Sequence, residues 1–271
     1  MKFRTSSLLA GALMLVLLAG MRALAADEQP PQPAEAPATQ PVGDKDGEQS
    51  QAERIRGWFG DLADSDPAVR EQARVSLMGM DRRYLETFQS LVQDSLPLAP
   101  AQAAALRQIV HHVYLTGEPY ETRDGSGFLG VRMQVSTLGG PVVLPNEIDP
   151  DGPPGMAAQG VVIVERMPGF VGSRMLQDGD VILGIAERRR LALLDAQAFG
   201  DAIRMLGSGR TVHLDLLRQG RVVRVPVKLD PRPAAAAIDE GPMRELLNRR
   251  RAKADAYWQR AFAPMLKEAA G

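Results

Sequence analysis

The chain has no cysteine, and only three histidines and 5% aromatic residues among its 271 residues. Without cysteine there is no disulfide, no thiolate nucleophile, no cysteine-ligated zinc and no lipidated N-terminal cysteine. The 32 basic and 33 acidic residues leave a net charge of −1. Such a balance creates no overall field that attracts nucleic acid or an anionic membrane, so we expect no nucleic-acid partner.

The motifs of the common hydrolases are also missing. Neither His111-His112 nor His213 has a Gly-x-Ser-x-Gly or Gly-Asn-Ser-Gly-Gly partner, and no His-Glu-x-x-His is present. A Ser–Lys peptidase needs a buried lysine, whereas Lys228 falls on an outward position of a predicted edge strand. We therefore expect no enzymatic activity.

Metal sites are equally poorly supported. Adjacent helical residues point in different directions, so His111 and His112 cannot chelate one ion, and we expect them to be solvated or capping. Asp149-Pro150-Asp151-Gly152 resembles part of a calcium loop, but the glutamate expected downstream is missing. The sequence predicts no metal and no other cofactor.

Residues 1–25 have the pattern of an export signal. Lys2 and Arg4 give a basic start, Leu8 to Met21 is an apolar run, and Ala23-Leu24-Ala25 is a small-x-small cleavage site. The run is short for a helix that crosses about 30 Å of hydrocarbon. We expect cleavage and a periplasmic or other cell-envelope location. The alternative is an uncleaved N-terminal helix, which would be the chain's only membrane contact.

Residues 26–50 are rich in proline, alanine, glutamine and acids, which predicts a disordered linker. From 51 to 120 the apolar spacing is helical. Asp66-Pro67 provides a capping carboxylate followed by proline at the first helical position, and Val69, Ala73 and Leu77 form one buried stripe.

Two further helices are predicted in this segment, from Asp81 to about Leu96 and from near Pro100 to Gly117. The stretch Asp64 to Arg70, followed by small and apolar residues at helical spacing, resembles one HEAT-type repeat. Stacked repeats need about three units for stability, so a plain three-helix packing unit is the alternative.

Beyond Arg123 the pattern changes to strands. Val161 to Val164 is a continuous apolar run, typical of a strand covered on both faces. Two alternating segments flank Gln219-Gly220, which predicts a tight hairpin. Pro226 in the second of them indicates an edge strand, because proline cannot donate to a neighbouring strand.

Two helices are predicted in the last third of the chain. Asp195 can cap a helix that ends at Gly207. The tail forms a helix from Pro242 to Ala263, whose apolar stripe includes Tyr257-Trp258 and should pack on one of the domains. We expect Arg249-Arg250-Arg251 on the solvated face of this helix, because Glu245 and Asp255 flank it.

Three segments carry a family resemblance: Gly127-Phe128-Leu129-Gly130-Val131, then Gly160 to Val164, then Leu176 to Leu183. Their order and spacing resemble a PDZ domain of the permuted bacterial type attached to periplasmic serine proteases, over residues 124–232. The resemblance implies an α+β fold. Together with the helical patterns on either side, the expected architecture is a small N-terminal helical domain, a PDZ-like partly open β-barrel with two helices, and a C-terminal helix over 233–271.

The resemblance also implies a peptide-binding site at the start of this domain. The motif Phe128-Leu129-Gly130-Val131 looks like the family's loop, and its amides from Leu129 to Val131 should receive a terminal carboxylate. Arg123 could add positive charge. The strand through Arg132 and Met133 would offer its edge to an extended peptide.

The opposite wall of the site is implied to be the helix after Asp195, with Ala196 and Gly200 facing the groove and Ile203 deeper. We interpret Gly200 as opening a pocket for a large terminal side chain, the alternative being a lax surface position. An insertion from Gln134 to about Gln159 departs from the family pattern and could overhang the groove.

The first functional hypothesis is an exported, non-catalytic PDZ protein that binds C-termini or extended segments of envelope proteins by strand addition, as an adaptor or scaffold. The alternatives are a structural subunit with a vestigial or self-occupied groove, and a regulatory partner of a separate envelope protease.

Overall fold

The computed structural model describes residues 45–143, 156–188, 196–237 and 240–268. The predicted signal peptide and most of the predicted linker therefore lie outside the described residues, as do the calcium-like motif at 149–152 and the predicted cap Asp195. Asp44–Gly271 forms one compact unit.

The described helices include four that precede the strands, two within the strand region and two in the tail. They are α1 (Lys45–Asp61), α2 (Pro67–Met78), α3 (Leu85–Asp94), α4 (Pro100–Thr116), α5 (Val171–Met175), α6 (Ala196–Leu206), α7 (Glu240–Ala261) and α8 (Ala263–Glu268). Short 3₁₀ turns lie at Arg82–Tyr84, Ala186–Arg188 and Ala234–Ala237.

Sequence signals at helix ends behave as expected. The Asp66 side chain accepts a hydrogen bond from the Ala68 amide at 2.8 Å and caps α2. The helix α6 stops before Gly207, whose φ of 84° suits glycine. By contrast, α1 already begins at Lys45, within the segment predicted to be a linker.

The described strands are β1 (Thr122–Phe128), β2 (Val131–Val143), β3 (Met156–Arg166), β4 (Val181–Ile185), β5 (Thr211–Arg218), β6 (Arg221–Lys228) and β7 (Asp230–Pro233). They form a five-stranded antiparallel sheet in the order β2-β3-β4-β5-β6 and a two-stranded β1-β7 ribbon, without closing into a barrel among the described residues. The prediction of a mixed protein with N-terminal helices followed by strands is confirmed.

The hairpin between β5 and β6 turns at Gln219 and Gly220, which both have positive φ, as the sequence predicted. Pro226 is exposed on β6, which is an edge strand of the sheet. The segment from Gln134 to about Gln159 was predicted to be an insertion that overhangs the groove. Its described residues instead extend two paired strands: β2 continues to Val143 and pairs with β3 from Met156, so they form the arms of one long hairpin. Residues 144–155 lie outside the described part.

Two hydrophobic cores lie side by side within the unit. The first is helical and includes Phe59, Phe88 and Val110, and the tail helix contributes Trp258 and Phe262 to it. Trp258 is 8% exposed and its ring stacks on that of Phe262 with centroids 5.6 Å apart, so the predicted core packing of the tail is confirmed.

The second core lies between the five-stranded sheet and α6 and includes Phe199, Ile203 and Leu214. Hydrogen bonds from Arg74 on α2 to the carbonyls of Ser173 (3.2 Å) and Arg174 (2.8 Å) on α5 join the two parts. None of the described helices combines the length and apolarity needed to cross a membrane.

Candidate functional site

A groove of about 250 Å³ opens between the start of β2 and the helix α6. It is lined by Gly127, Phe128, Leu129, Gly130, Val131, Met133, Ala196, Gln197, Phe199, Gly200, Ile203, Arg204, Arg232 and Ala236. Eight of the ten residues predicted for peptide binding are in this set, so segments about 70 residues apart in sequence meet at one cavity.

The carbonyl groups of the loop between β1 and β2 accept hydrogen bonds from the segment at 167–172, which fixes the loop. The Gly172 amide donates to the Leu129 carbonyl and the Met167 amide to the Gly130 carbonyl, each at 2.8 Å. Within the described residues, the amides of Leu129 and Gly130 donate to no acceptor. Unpaired amides on consecutive residues of a fixed loop form a concavity suited to an anionic oxygen.

Gly130 has a structural reason to be glycine. Its φ is +67°, a conformation that residues with a side chain rarely adopt, and a Cβ there would lie 2.2 Å from the Cβ of Phe170. The backbone can therefore approach Phe170 closely only because position 130 has no side chain.

The strand β2 has a free edge beside the groove. In an antiparallel ladder, the hydrogen bond from Met167 N to Gly130 O makes Val131 and Arg166 a non-hydrogen-bonded pair. The N–H and C=O of Val131 therefore point away from β3. Because β2 ends the strand order, these groups face the side on which a further strand could add.

The groove is mainly apolar, and Gly200 leaves it wide. Phe199 and Ile203 on α6 are buried, and Met133 on β2 packs against the same core. A Cβ built at Gly200 would meet only the end of the Arg204 side chain, at 3.7 Å. Space beside Gly200 is thus open to a ligand side chain.

Positive charge at the groove comes from residues that the sequence did not single out. Arg204 on α6 and Arg232 on β7 line the cavity, whereas the predicted Arg123 and Arg132 are exposed and are not among its described lining residues. Partial burial, together with repulsion from Arg204, lowers the pKa of Arg232. Arg123 is 3.9 Å from Asp124, and Arg132 is 3.1 Å from Glu165.

The missed arginines differ in how they could have been found. Arg204 follows Ala196 and Gly200 at the four-residue spacing of one helix face, so helical geometry alone indicates it. Arg232 reaches the groove because β7 pairs with β1, with Phe128 opposite Asp230. No local signal in Pro231-Arg232-Pro233 predicts that pairing.

Phe170 and Asp230 both lie next to the loop: Phe170 is the neighbour of Gly130, and Asp230 is paired with Phe128. Phe170 is 1% exposed, and the Asp230 carboxylate accepts a hydrogen bond from the Val171 amide at 2.5 Å. Burial raises the pKa of Asp230 to about 6, although that hydrogen bond and the charge of Arg250 oppose the rise.

Two predictions about polar residues in this region are wrong. His112 is not solvated: it is 3% exposed, burial lowers its pKa to about 3, and its Nδ1 accepts a hydrogen bond from the Gly169 amide at 3.2 Å. Arg250 is not on the solvated face of the tail helix. It is 3% exposed and donates to the carbonyls of Leu115 (2.6 Å) and Glu118 (2.8 Å).

Comparison with known proteins gives a limited set of similarities. No protein-family model matches the sequence. No curated protein matches it either. Among solved structures, it is similar to "HtrA-type protease AlgW with decapeptide", at 22% identity and a TM-score of 0.29 over 48% of this chain and 35% of that one. The chain thus spans about a third of that protease's length.

A second similar structure is the "HtrA3 PDZ Domain Bound to a Phage-Derived Ligand (FGRWV)", at 21% identity and a TM-score of 0.28. This similarity covers 42% of this chain and 93% of the PDZ domain. The first neighbour is thus an HtrA-type protease, and the second is a PDZ domain. At TM-scores this low, neither similarity assigns a ligand or an activity to this chain.

Proposed function

We propose that this chain is an exported, non-catalytic PDZ-type protein whose groove binds the C-terminus or an extended segment of a cell-envelope protein. The single observation that carries the proposal is the pair of unbonded amides at Leu129 and Gly130, next to an open strand edge and an apolar cavity. A terminal carboxylate supplies the acceptor that these amides lack.

The ligand lies antiparallel or parallel to β2 as an added strand, with main-chain hydrogen bonds along the edge and its last side chain in the cavity beside Gly200. Main-chain bonds give affinity for any extended segment, and the cavity selects an apolar terminal residue. The contact is smaller than a standard protein interface, so we expect a Kd on the order of micromolar, or about −8 kcal/mol.

The role of such a protein is that of an adaptor: it holds an envelope protein by its chain end while another surface positions the complex. Arg74 donates to carbonyls of α5, and the Arg250 guanidinium lies 5.1 Å from the Phe170 ring; both contacts link the helical part to the segment behind the groove, which supports the helices as a platform for the peptide site. An envelope protease is one candidate for the second partner, to which the adaptor would present the bound protein.

Selection from a library of peptides with free, random C-termini tests binding by the chain. We expect enriched peptides to share a large apolar last residue and to bind with micromolar affinity. Enrichment no greater than on a surface without protein would reject the proposed function.

Export is tested separately. The sequence pattern predicts cleavage after Ala25, so N-terminal sequencing of the protein from the periplasmic fraction should begin at Ala26. Recovery of the intact chain in the membrane fraction would instead support the N-terminal anchor.

A further inference from the structure

A second cavity, of about 210 Å³, lies away from the groove, between α4, α7 and the segment before α5. Its lining includes Arg107, His111, Arg250, Arg251 and Asp255, together with apolar side chains. Three arginines and one aspartate thus line a space large enough for a small molecule.

Arg250 is an unusual cation for a protein interior. Its two terminal nitrogens donate to backbone carbonyls, and its Nε is buried with no hydrogen-bond partner among the described residues. No carboxylate of the described residues lies within ion-pair distance of it, although it lies 5.1 Å from the ring centres of both Tyr120 and Phe170. Burial lowers its pKa, even though more distant acids oppose the shift.

His111 shows the same deficit. Its Nε2 is buried without a hydrogen-bond partner and lies 3.5 Å from the Asp255 carboxylate. Burial lowers the pKa of His111, and the charges of Arg107 and Arg251 act in the same direction against Asp255. A buried polar atom without a hydrogen-bond partner costs about 1–3 kcal/mol, and both of these atoms belong to residues that line the cavity, which points to a missing partner there.

Arg107 and Arg251, the other two arginines of the cavity, take part in ion pairs that a ligand can replace at a small cost in free energy. Arg251 lies 3.5 Å from Glu165 with both side chains about half exposed, which makes a weak, screened pair. Arg107 is paired with Asp255 at 2.6 Å, also near the surface. The three arginines and Asp255 leave a net charge of two, which a dianion neutralises.

We propose that this cavity binds a phosphate group, held by Arg107, Arg250 and Arg251 with His111 as a neutral donor. Guanidinium groups suit phosphate because they offer several donors in a plane, and a phosphate dianion brings both the charge and the acceptor oxygens that the cavity lacks. The source is inorganic phosphate or the phosphate of a small phosphomonoester. The described lining of the cavity shares no residue with that of the peptide groove.

Calorimetric titration of the chain with inorganic phosphate and with glycerol 3-phosphate, at constant ionic strength set by chloride, tests the proposal. We expect saturable binding of at least one phosphate in a 1:1 ratio. If only glycerol 3-phosphate binds, the ligand is a phosphomonoester, and if both bind equally, it is the phosphate group alone.

Variants locate the site. Arg107→Gln and Arg251→Gln should each weaken binding about tenfold, the usual effect of losing a charged hydrogen bond. Arg249→Gln is the matched control, because Arg249 lies on the same helix two residues before Arg251, is exposed and is paired with Glu245 at 2.8 Å, but does not line the cavity. Asp255→Asn should tighten binding, since it removes the competing carboxylate. No binding above the chloride control, or equal losses for Arg249→Gln and Arg251→Gln, would overturn the proposal.

Discussion

The ring of Phe170 lies edge-on to that of Phe128, with centroids 5.1 Å apart and planes at 78°. Phe128 lines the candidate groove, and Phe170 sits under the Arg250 guanidinium at 5.1 Å. The groove wall is therefore supported by a buried aromatic residue that the helical part holds in place. Edge-to-face pairs of this kind add about 0.5–1.5 kcal/mol beyond burial.

Gly130→Ala should destabilise the protein strongly. The substitution imposes positive φ on alanine and places a Cβ 2.2 Å from Phe170. Gly125→Ala is the matched control, because Gly125 has a similar φ of 65° and open space around it. We expect Gly125→Ala to cost about 1–2 kcal/mol and Gly130→Ala clearly more, measured by urea denaturation. Equal losses would show that Phe170 does not confine the loop.

Gly200→Leu should abolish peptide binding without loss of stability. The new side chain occupies the open space of the groove, while replacing a helical glycine gains up to about 1 kcal/mol. Gly57→Leu, at a helical glycine of α1 with nothing within 4 Å, provides the control for helix propensity. Fluorescence polarisation with a selected peptide checks both variants. Unchanged affinity for Gly200→Leu would support the interpretation of Gly200 as a lax surface position.

Asp230→Asn should stabilise the protein at pH 7. The raised pKa, about 6, means that the folded state keeps a proton that the unfolded state has already released between about pH 4 and 6. Stability due to this group is therefore highest below pH 4 and falls as pH rises to 6. Asparagine keeps an acceptor for the Val171 amide and does not ionise.

Denaturation at pH 4.5 and pH 7 checks this expectation. The parent protein should lose unfolding free energy between pH 4.5 and pH 7 because Asp230 ionises, and the variant should not. Relative to the parent, the variant should therefore be more stable at pH 7 than at pH 4.5 by about 1–3 kcal/mol. An identical pH dependence in both proteins would show that Asp230 titrates normally.

Arg218→Met should cost about 3–5 kcal/mol. Arg218 binds the Asp180 carboxylate through two hydrogen bonds, of 2.8 and 2.7 Å, and Asp180 is 2% exposed. Removing the cation leaves a buried charge without its partner. Arg249→Met, at an exposed pair, should cost less than about 0.5 kcal/mol. Similar losses for the two variants in thermal denaturation would contradict the structural role of Asp180.

Local patterns predicted much of the fold because they depend on neighbours in sequence. The Asp66-Pro67 start of α2, the end of α6 at Gly207 and the Gln219-Gly220 turn each follow from the preferences of a few adjacent residues. The start of α1 at Lys45 was not predicted, because its first residues are polar and carry no apolar stripe.

The parts that sequence reasoning missed depend on long-range packing. Arg250 belongs to a run of three arginines that is typical of a solvated surface, and its burial follows from carbonyls more than 130 residues away. Arg232 enters the groove only through the pairing of β7 with β1. The groove residues themselves could be predicted because a family resemblance supplied the missing long-range information.

The central claim is tested most directly by the amide proton shifts of Leu129 and Gly130 in the ¹⁵N-labelled chain, titrated with one selected peptide as its free acid and as its C-terminal amide. We predict large downfield shifts of both amides with the free acid, because they donate to its carboxylate, and much smaller shifts and weaker binding with the amide. Equal affinity for the two peptides, with both amide signals unmoved, would contradict carboxylate capture at this loop.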